Sequence, residues 1–253
     1  DIPAWSQGVF FKWGSLIALA SAGNPYDPEV QAVYYPPHLN PSDWKGGLIG
    51  WDKIPYAHSN FNFSMPSGTG EDVDAFAGYS GNTGFNENVG VGDICRYISS
   101  GPGGKGWVEG EWRLPTNAEL ELLYEETGIK TVSMGGFVNM TAELNRDAGN
   151  YLHGNFDPES GWFLGANVTG SIATPANRTT PPSGTVFLPS AGQRYPDGNG
   201  DVVHVGAYGY YWASTPYSVN GGYIADYLFI YKSVDFNAAD RSYAFPVRCI
   251  KDY

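Results

Sequence analysis

Few residues in this chain stand in patterns that could do chemistry, and most of those patterns stop short of a site. Gly101, Gly103 and Gly106 satisfy G-x-G-x-x-G, the spacing that lets a backbone approach a pyrophosphate at a helix start. Pro102 lies inside it, no strand of buried type precedes it, and residues 107–111 do not open a helix, so a plain loop accounts for it. Asp197, Asn199 and Asp201 space their oxygens like the start of a calcium loop, but Val202 stands where that loop needs glycine and no Glu follows at its twelfth position. A glycine-rich turn explains PDGNGD better. His38, His58, His153 and His204 are too dispersed to preorganise a metal site. Glu125 with Glu126, and Glu109 with Glu111, read as solvated charge rather than as an acid and a base. No G-x-S-x-G elbow is present. The expectation is therefore no catalytic residue, no metal and no cofactor.

The distinctive chemistry lies in the tail. Nine of the 18 tyrosines fall in the last 46 residues, so they are concentrated for a reason other than overall composition. Residues 206–245 hold eight Tyr with four Ser, four Gly and two Asn, and only Lys232 and Arg241 as cations. That is the vocabulary of a paratope, in which Tyr gives rigid amphipathic contact and Ser, Gly and Asn give adaptable hydrogen bonds. The competing reading packs the tyrosines in a β-rich core. Leu228, Ile230 and Val247 are available to fill that interior while alternate residues face outward.

The elements that must position this tail are partly visible. Thr116 and Glu119 form a capping box ahead of Leu120, Leu123 and Tyr124 at helical spacing, with Gly128 as the stop, so 112–128 predicts a helix. Strands are expected at 161–164 and 185–188, and weaker helices at 71–79 and 142–151. The apolar stretch VFFKWGSLIALAS (9–21) fits one or two strands or a helix, because so short a run does not resolve its period. GYYWAS, YIADYLFIY and AFPVRCI, separated by polar turns, read as an antiparallel meander, and the helix before it makes the class α+β.

Composition bounds the function. At 253 residues the chain can bury a core of its own, and Gly 34 with Pro 18 mean many loops without the composition of disorder. A net charge of −12 opposes phosphate backbones and anionic lipid surfaces, so neither nucleic acid nor membrane insertion is expected. Cys95 and Cys249 either pair across a long loop, which implies an oxidising compartment, or stay as two buried thiols. Sequons at Asn62, Asn139, Asn167 and Asn177 carry little weight in a chain this rich in Asn, Ser and Thr. A chain that opens at Asp1 reads as a mature or trimmed product.

Three motifs in order, WRLPTNAEL (112–120), GYYWAS (209–214) and FPVRCI (245–250), resemble the bacterial branch of the C-type lectin fold. That branch includes the formylglycine-generating-enzyme-like domains and the Fibrobacter major paralogous domain. The resemblance covers roughly residues 90–253 and implies a C-type lectin-like domain at 91–253, with 1–90 as a loop-rich extension packed on the same domain. Through YYWASTPYS and RSYAFPVRCI the chain is most similar to variable proteins of Bacteroides-type diversity-generating retroelements, whose FFKWGS-like opening it shares at 10–15.

In that family a C-terminal variable region is rewritten at adenines, and members include exported, surface-displayed adhesins, some at pilus tips. The resemblance implies a variable region at 206–248. Its ligand-binding positions would be Tyr208, Tyr210, Tyr217, Tyr223, Ala225, Asp226, Tyr227, Tyr231, Asp235, Asn237, Ala239, Asp240 and Tyr243. Trp212, Ser214, Arg241, Phe245, Val247, Arg248 and Cys249 would be the fixed scaffold. The expected function is a surface-displayed, extracellular adhesin that recognises a protein or glycan ligand, with pilus subunits as further partners. The alternatives are a structural fimbrial subunit or a metal-dependent enzyme on the same fold. The calcium-binding tripeptides of sugar-binding lectins are missing, and only Cys249 stands where the oxidases keep two cysteines, so neither activity carries over.

Overall fold

The computed structural model describes residues 9–19, 29–30, 32–34, 49–51, 54, 56, 85–86, 91–99, 112–125, 161–165, 185–196, 200–205, 207–217, 224–231 and 234–251. Tyr223, Gly128, the glycine cluster at 101–106, Asp197, Asn199, Glu109, Glu111, Glu126, three of the four histidines, the four sequons and the expected helices at 71–79 and 142–151 lie outside the described residues. In chain order the elements are β1 (Phe11–Lys12), β2 (Ala18–Leu19), β3 (Glu29–Val30), β4 (Ala32–Tyr34), β5 (Ile49–Gly50), β6 (Phe85–Asn86) and β7 (Val91–Gly92). Helix α1 (Ile94–Ser99), β8 (Trp112–Arg113) and helix α2 (Asn117–Glu125) follow. Then come β9 (Gly161–Gly165), β10 (Thr185–Pro189), β11 (Gln193–Arg194), β12 (Val202–Val203), β13 (Gly209–Tyr217), β14 (Ile224–Ile230), β15 (Val234–Asp240), β16 (Ala244–Phe245) and β17 (Ile250–Lys251).

The described residues are mostly strands in antiparallel sheets with two short helices, in keeping with the α+β class. The largest ladder is the meander β13-β14-β15. Its third strand is Val234–Asp240, which the sequence did not single out. AFPVRCI, expected as the third strand, divides instead: β16 joins β1 and β11 in a four-stranded sheet, and β17 pairs with β8. The expected strands at 161–164 and 185–188 are the β9-β10 hairpin ladder.

Local chemistry explains these choices. At the start of α2, Glu119 N–H donates to Thr116 Oγ1 at 3.3 Å while Thr116 N–H donates to Glu119 Oε2 at 2.8 Å, which is the expected capping box. Glu119 also accepts from both terminal guanidinium nitrogens of Arg113, Nη1 and Nη2, fixing α2 to β8. Helix α1 was not anticipated. Its cap is Asp93, whose buried carboxylate accepts the N–H groups of Cys95 and Arg96 and, from β8's end, Leu114. Pro216 sits in β13 where the register with β14 shifts, the kind of place a strand tolerates a residue without N–H.

The N-terminal apolar stretch is strand, and it lies at the centre. Phe10 and Leu19 exchange both backbone hydrogen bonds, and Gly14 turns the chain between them with φ 76°. β1 pairs with β16, Phe11 opposite Phe245. Trp13 is fully buried; its Nε1–H donates to Ala213 O at 2.8 Å, and the buried Arg241 guanidinium lies 4.1 Å from its ring centroid. Cys95 and Cys249 are joined, with Cα atoms 5.6 Å apart, tying α1 to the approach of β17. Among the described residues no helix is long and apolar enough to cross a membrane.

Candidate ligand-binding face

The meander's register decides which side chains can act together, because residues directly opposite in an antiparallel pair share a face. Leu228 lies between Tyr211 on β13 and Phe236 on β15, and Ile230 opposes Val234; with Ala213 these form one layer, buried but for the half-buried Phe236, against Leu120 of α2 and Leu188 of β10. The other side carries the cross-strand rows Tyr210–Phe229–Asp235 and Trp212–Tyr227–Asn237, with the β14 residue in the middle of each. Leu228 and Ile230 thus fill the interior as expected. Their alternates do not simply face water: Tyr227 and Phe229 are half-buried against a second aromatic layer.

Phe245 is the centre of that layer. It is 1% exposed, stacks on Trp212 at 4.1 Å between centroids and on Tyr210 at 5.2 Å, and meets Tyr227 edge-on at 4.9 Å. From it the rings continue outward. Tyr243 lies 5.7 Å from Phe245 and 5.2 Å from exposed Tyr195. On the other flank Phe229 contacts Tyr208, which meets Tyr231 edge-on at 4.7 Å and His204 at 4.7 Å. Edge-to-face and offset rings of this kind hold one another in place beyond simple burial. The outcome is a continuous aromatic surface, rigid beneath and half-exposed above.

Tyr208, Tyr227, Tyr231 and Tyr243 belong to this surface, and Asp235, Asn237 and Ala239 border it on β15. Asp235 stands close enough to Tyr227 for its charge, after burial, to help raise the phenol's pKa. Several expected positions lie apart from this surface. Ala225 is 0% exposed within the core and offers a ligand nothing. Tyr210 is 6% exposed; burial keeps its phenol protonated, and its role is to support the rings around it. Asp226 faces the opposite side, where burial and then the Glu121 charge raise its carboxyl pKa. Asp240 caps a turn, accepting from Ser242 N–H at 2.8 Å, and Tyr217, 42% exposed, sits at the far end of β13 beyond the register shift.

Of the expected scaffold, Trp212, Ser214, Arg241 and Phe245 are buried, whereas Arg248 is exposed. No family model, curated protein or solved structure matches the chain. Two contributors escaped the sequence reading: Tyr195, outside the tyrosine-rich tail, and His204, treated there only as a dispersed histidine. Among the described residues no three of His, Cys, Asp and Glu gather as metal ligands.

Proposed function

We propose that this chain is a surface-displayed, extracellular ligand-binding module of C-type lectin-like fold, akin to the variable proteins of diversity-generating retroelements, and that the aromatic face recognises a protein or glycan ligand. The observation that carries the reading is the half-exposed run of Tyr195, Tyr243, Tyr227, Tyr208 and Tyr231 over buried Phe245 and Trp212. Large, preorganised aromatic side chains supply most of the affinity in such interfaces and lose little entropy on binding. The motifs at 112–120, 209–214 and 245–250 support the fold assignment. Their core members fit it: Leu114, Leu120, Trp212 and Phe245 are all buried.

Two measurements test this. Capture by the folded chain on glycan and protein arrays is expected to be lost in the combined Tyr208→Ala, Tyr231→Ala and Tyr243→Ala variant with the fold retained. Equal capture by that variant refutes the face as the site. Sequencing of the locus in an expanding clonal population is expected to show changes at the codons for Tyr208, Tyr227, Tyr231, Asp235, Asn237 and Tyr243. The codons for Trp212, Ala225 and Phe245 should stay quiet. A uniformly quiet tail removes diversification from the proposal.

A further inference from the structure

His204 stands at the edge of the aromatic face in an unusual state. It is the one described non-glycine residue with positive φ, at 62°, a backbone region that histidine enters more readily than most side chains but still uncommonly. Three contacts hold the turn there. Ala207 N–H and Tyr208 N–H both donate to His204 O at 3.1 Å, and Gly192 N–H donates to Tyr208 O at 2.9 Å. The residue as a whole is exposed, yet its Nδ1 is turned inward, 3.0 Å from Tyr210 Oη and 3.2 Å from Gln193 Nε2. Its ring also packs on Tyr208 and stacks with Tyr210.

Both groups on Nδ1 are donors: a phenol that keeps its proton and an amide NH2. With Gln193 presenting its NH2, the two share Nδ1 only when it carries no proton, and the neutral ring's hydrogen then sits on Nε2. Protonation puts a hydrogen on Nδ1. The Tyr210 hydroxyl can rotate to accept it, but the NH2 of Gln193 then faces a donor, and that side chain is only 5% exposed. The imidazolium of this exposed residue has solvent to turn into. Among the described residues the titratable groups that meet the ring are the phenols of Tyr208 and Tyr210. Gln193 is neutral, and burial alone accounts for the lowered imidazole pKa, with no carboxylate contributing.

We infer that His204 is a positioning residue for the binding face: neutral, its ring is latched by Tyr210 and Gln193 against Tyr208, and protonated, it turns away from the Gln193 amide toward solvent and withdraws its support from Tyr208, so ligand capture weakens on acidification. The consequence for capture rests on the binding reading above; the latch itself does not.

The test therefore needs no ligand. Near-ultraviolet circular dichroism and imidazole 15N shifts are followed between about pH 8 and pH 5, the range of histidine titration, for wild type and for His204→Asn. Asn accepts left-handed backbone and places an amide oxygen near the Nδ1 position, but it does not titrate. Wild type is expected to show one imidazole in the Nε2–H tautomer at high pH with a one-proton change in its ring signals below the ordinary histidine value, accompanied by a near-ultraviolet step. H204N is expected to lose that one set of ring signals and the near-ultraviolet step, keeping the high-pH near-ultraviolet signal and the signals of the other three histidines. A wild-type step that persists unchanged in H204N, or an Nδ1–H tautomer at high pH, overturns the latch. If the step vanishes in H204N while the triple tyrosine variant still captures ligand like wild type, the latch is supported and only the binding reading falls.

Discussion

Gly192→Ala isolates the contact that holds the His204 turn against the sheet. Gly192 has φ +75°, so any other L-residue there pays about 1–2 kcal/mol for left-handed backbone. A Cβ would also stand 2.3 Å from Val203 O, 2.8 Å from Val205 N and 3.0 Å from His204 C, all backbone atoms. Val203 is paired opposite Gln193, so its carbonyl can retreat only by opening the β11-β12 ladder. The Gly192 N–H to Tyr208 O bond, 2.9 Å long, is strained by the same movement. Two such hydrogen bonds contribute about 1 kcal/mol each. Together the loss comes to about 3–4 kcal/mol, and at roughly 2–4 °C per kcal/mol for a chain of this size the melting midpoint should drop by about 10 °C. Urea denaturation followed by far-ultraviolet circular dichroism measures the first figure, and near-ultraviolet ring signals report the displaced Tyr208. A variant within about 0.5 kcal/mol of wild type, the usual range for neutral surface changes, would refute the argument.

Further outcomes follow from contacts already described. Phe245→Ala should cost about 3–5 kcal/mol by guanidinium denaturation, as burial and cavity terms for a core phenylalanine require, and should broaden the Tyr227 and Tyr243 resonances. Arg113 beside Glu119 holds its carboxyl down at about 2 against an ordinary 4.5. The group therefore stabilises the fold above pH 4.5 and loses that contribution as pH falls toward 2. Glu119→Gln should remove about 1 kcal/mol at neutral pH, a figure discounted for solvent screening, and flatten stability across that acid window. Asp93 has the opposite sign: burial pushes its carboxyl up to about 6, against backbone hydrogen bonds that lower it. The folded state takes up that proton first, so the Asp93 contribution grows as pH falls from about 6 toward 3.8 and is lost as pH rises through the same range. Asp93→Ala should still destabilise by about 3 kcal/mol at pH 7, because three N–H groups lose their acceptor. The Cys95→Ser, Cys249→Ser pair should lose up to about 5 kcal/mol, the chain-entropy value for so long a loop, read as the difference between denaturation midpoints.

What was legible in the sequence was what neighbouring residues determine. The capping box at Thr116 and Glu119 is a local pattern with a local cause, and it forms as written. The β9-β10 strands are marked by apolar runs between glycine- and proline-rich stretches. α1 left a fainter trace: Asp93 directly before Ile94, with Tyr97 and Ile98 at helical spacing, in a helix of only six residues. The members of the face were harder, because side-chain vocabulary does not encode register. Ala225 and Asp226 are adjacent and both suit a variable position, yet one is sealed in the core and the other lies beside Glu121. Period two along Asp226, Leu228 and Ile230 would have moved Asp226 off the face. Nothing local could have brought Tyr195 to Tyr243, since that meeting depends on β11 lying beside β16, whereas His204 meets Gln193 through the short β11-β12 pairing, whose two-residue strands leave little pattern to read.

The link between Cys95 and Cys249 sets how the chain would carry a pulling force. Tension applied between any residue before Cys95 and any residue after Cys249 crosses the covalent bond and bypasses everything between. The whole meander and the His204 turn lie inside that bypass. Over a separation of 154 residues, roughly 500 Å of extensible chain is withheld from the load. Under such a pull the segments outside the bridge would take the load first, and because β1 and Trp13 are among them, the surface would lose part of its support on one side before its own strands were drawn out; after reduction the same pull would reach β13 directly.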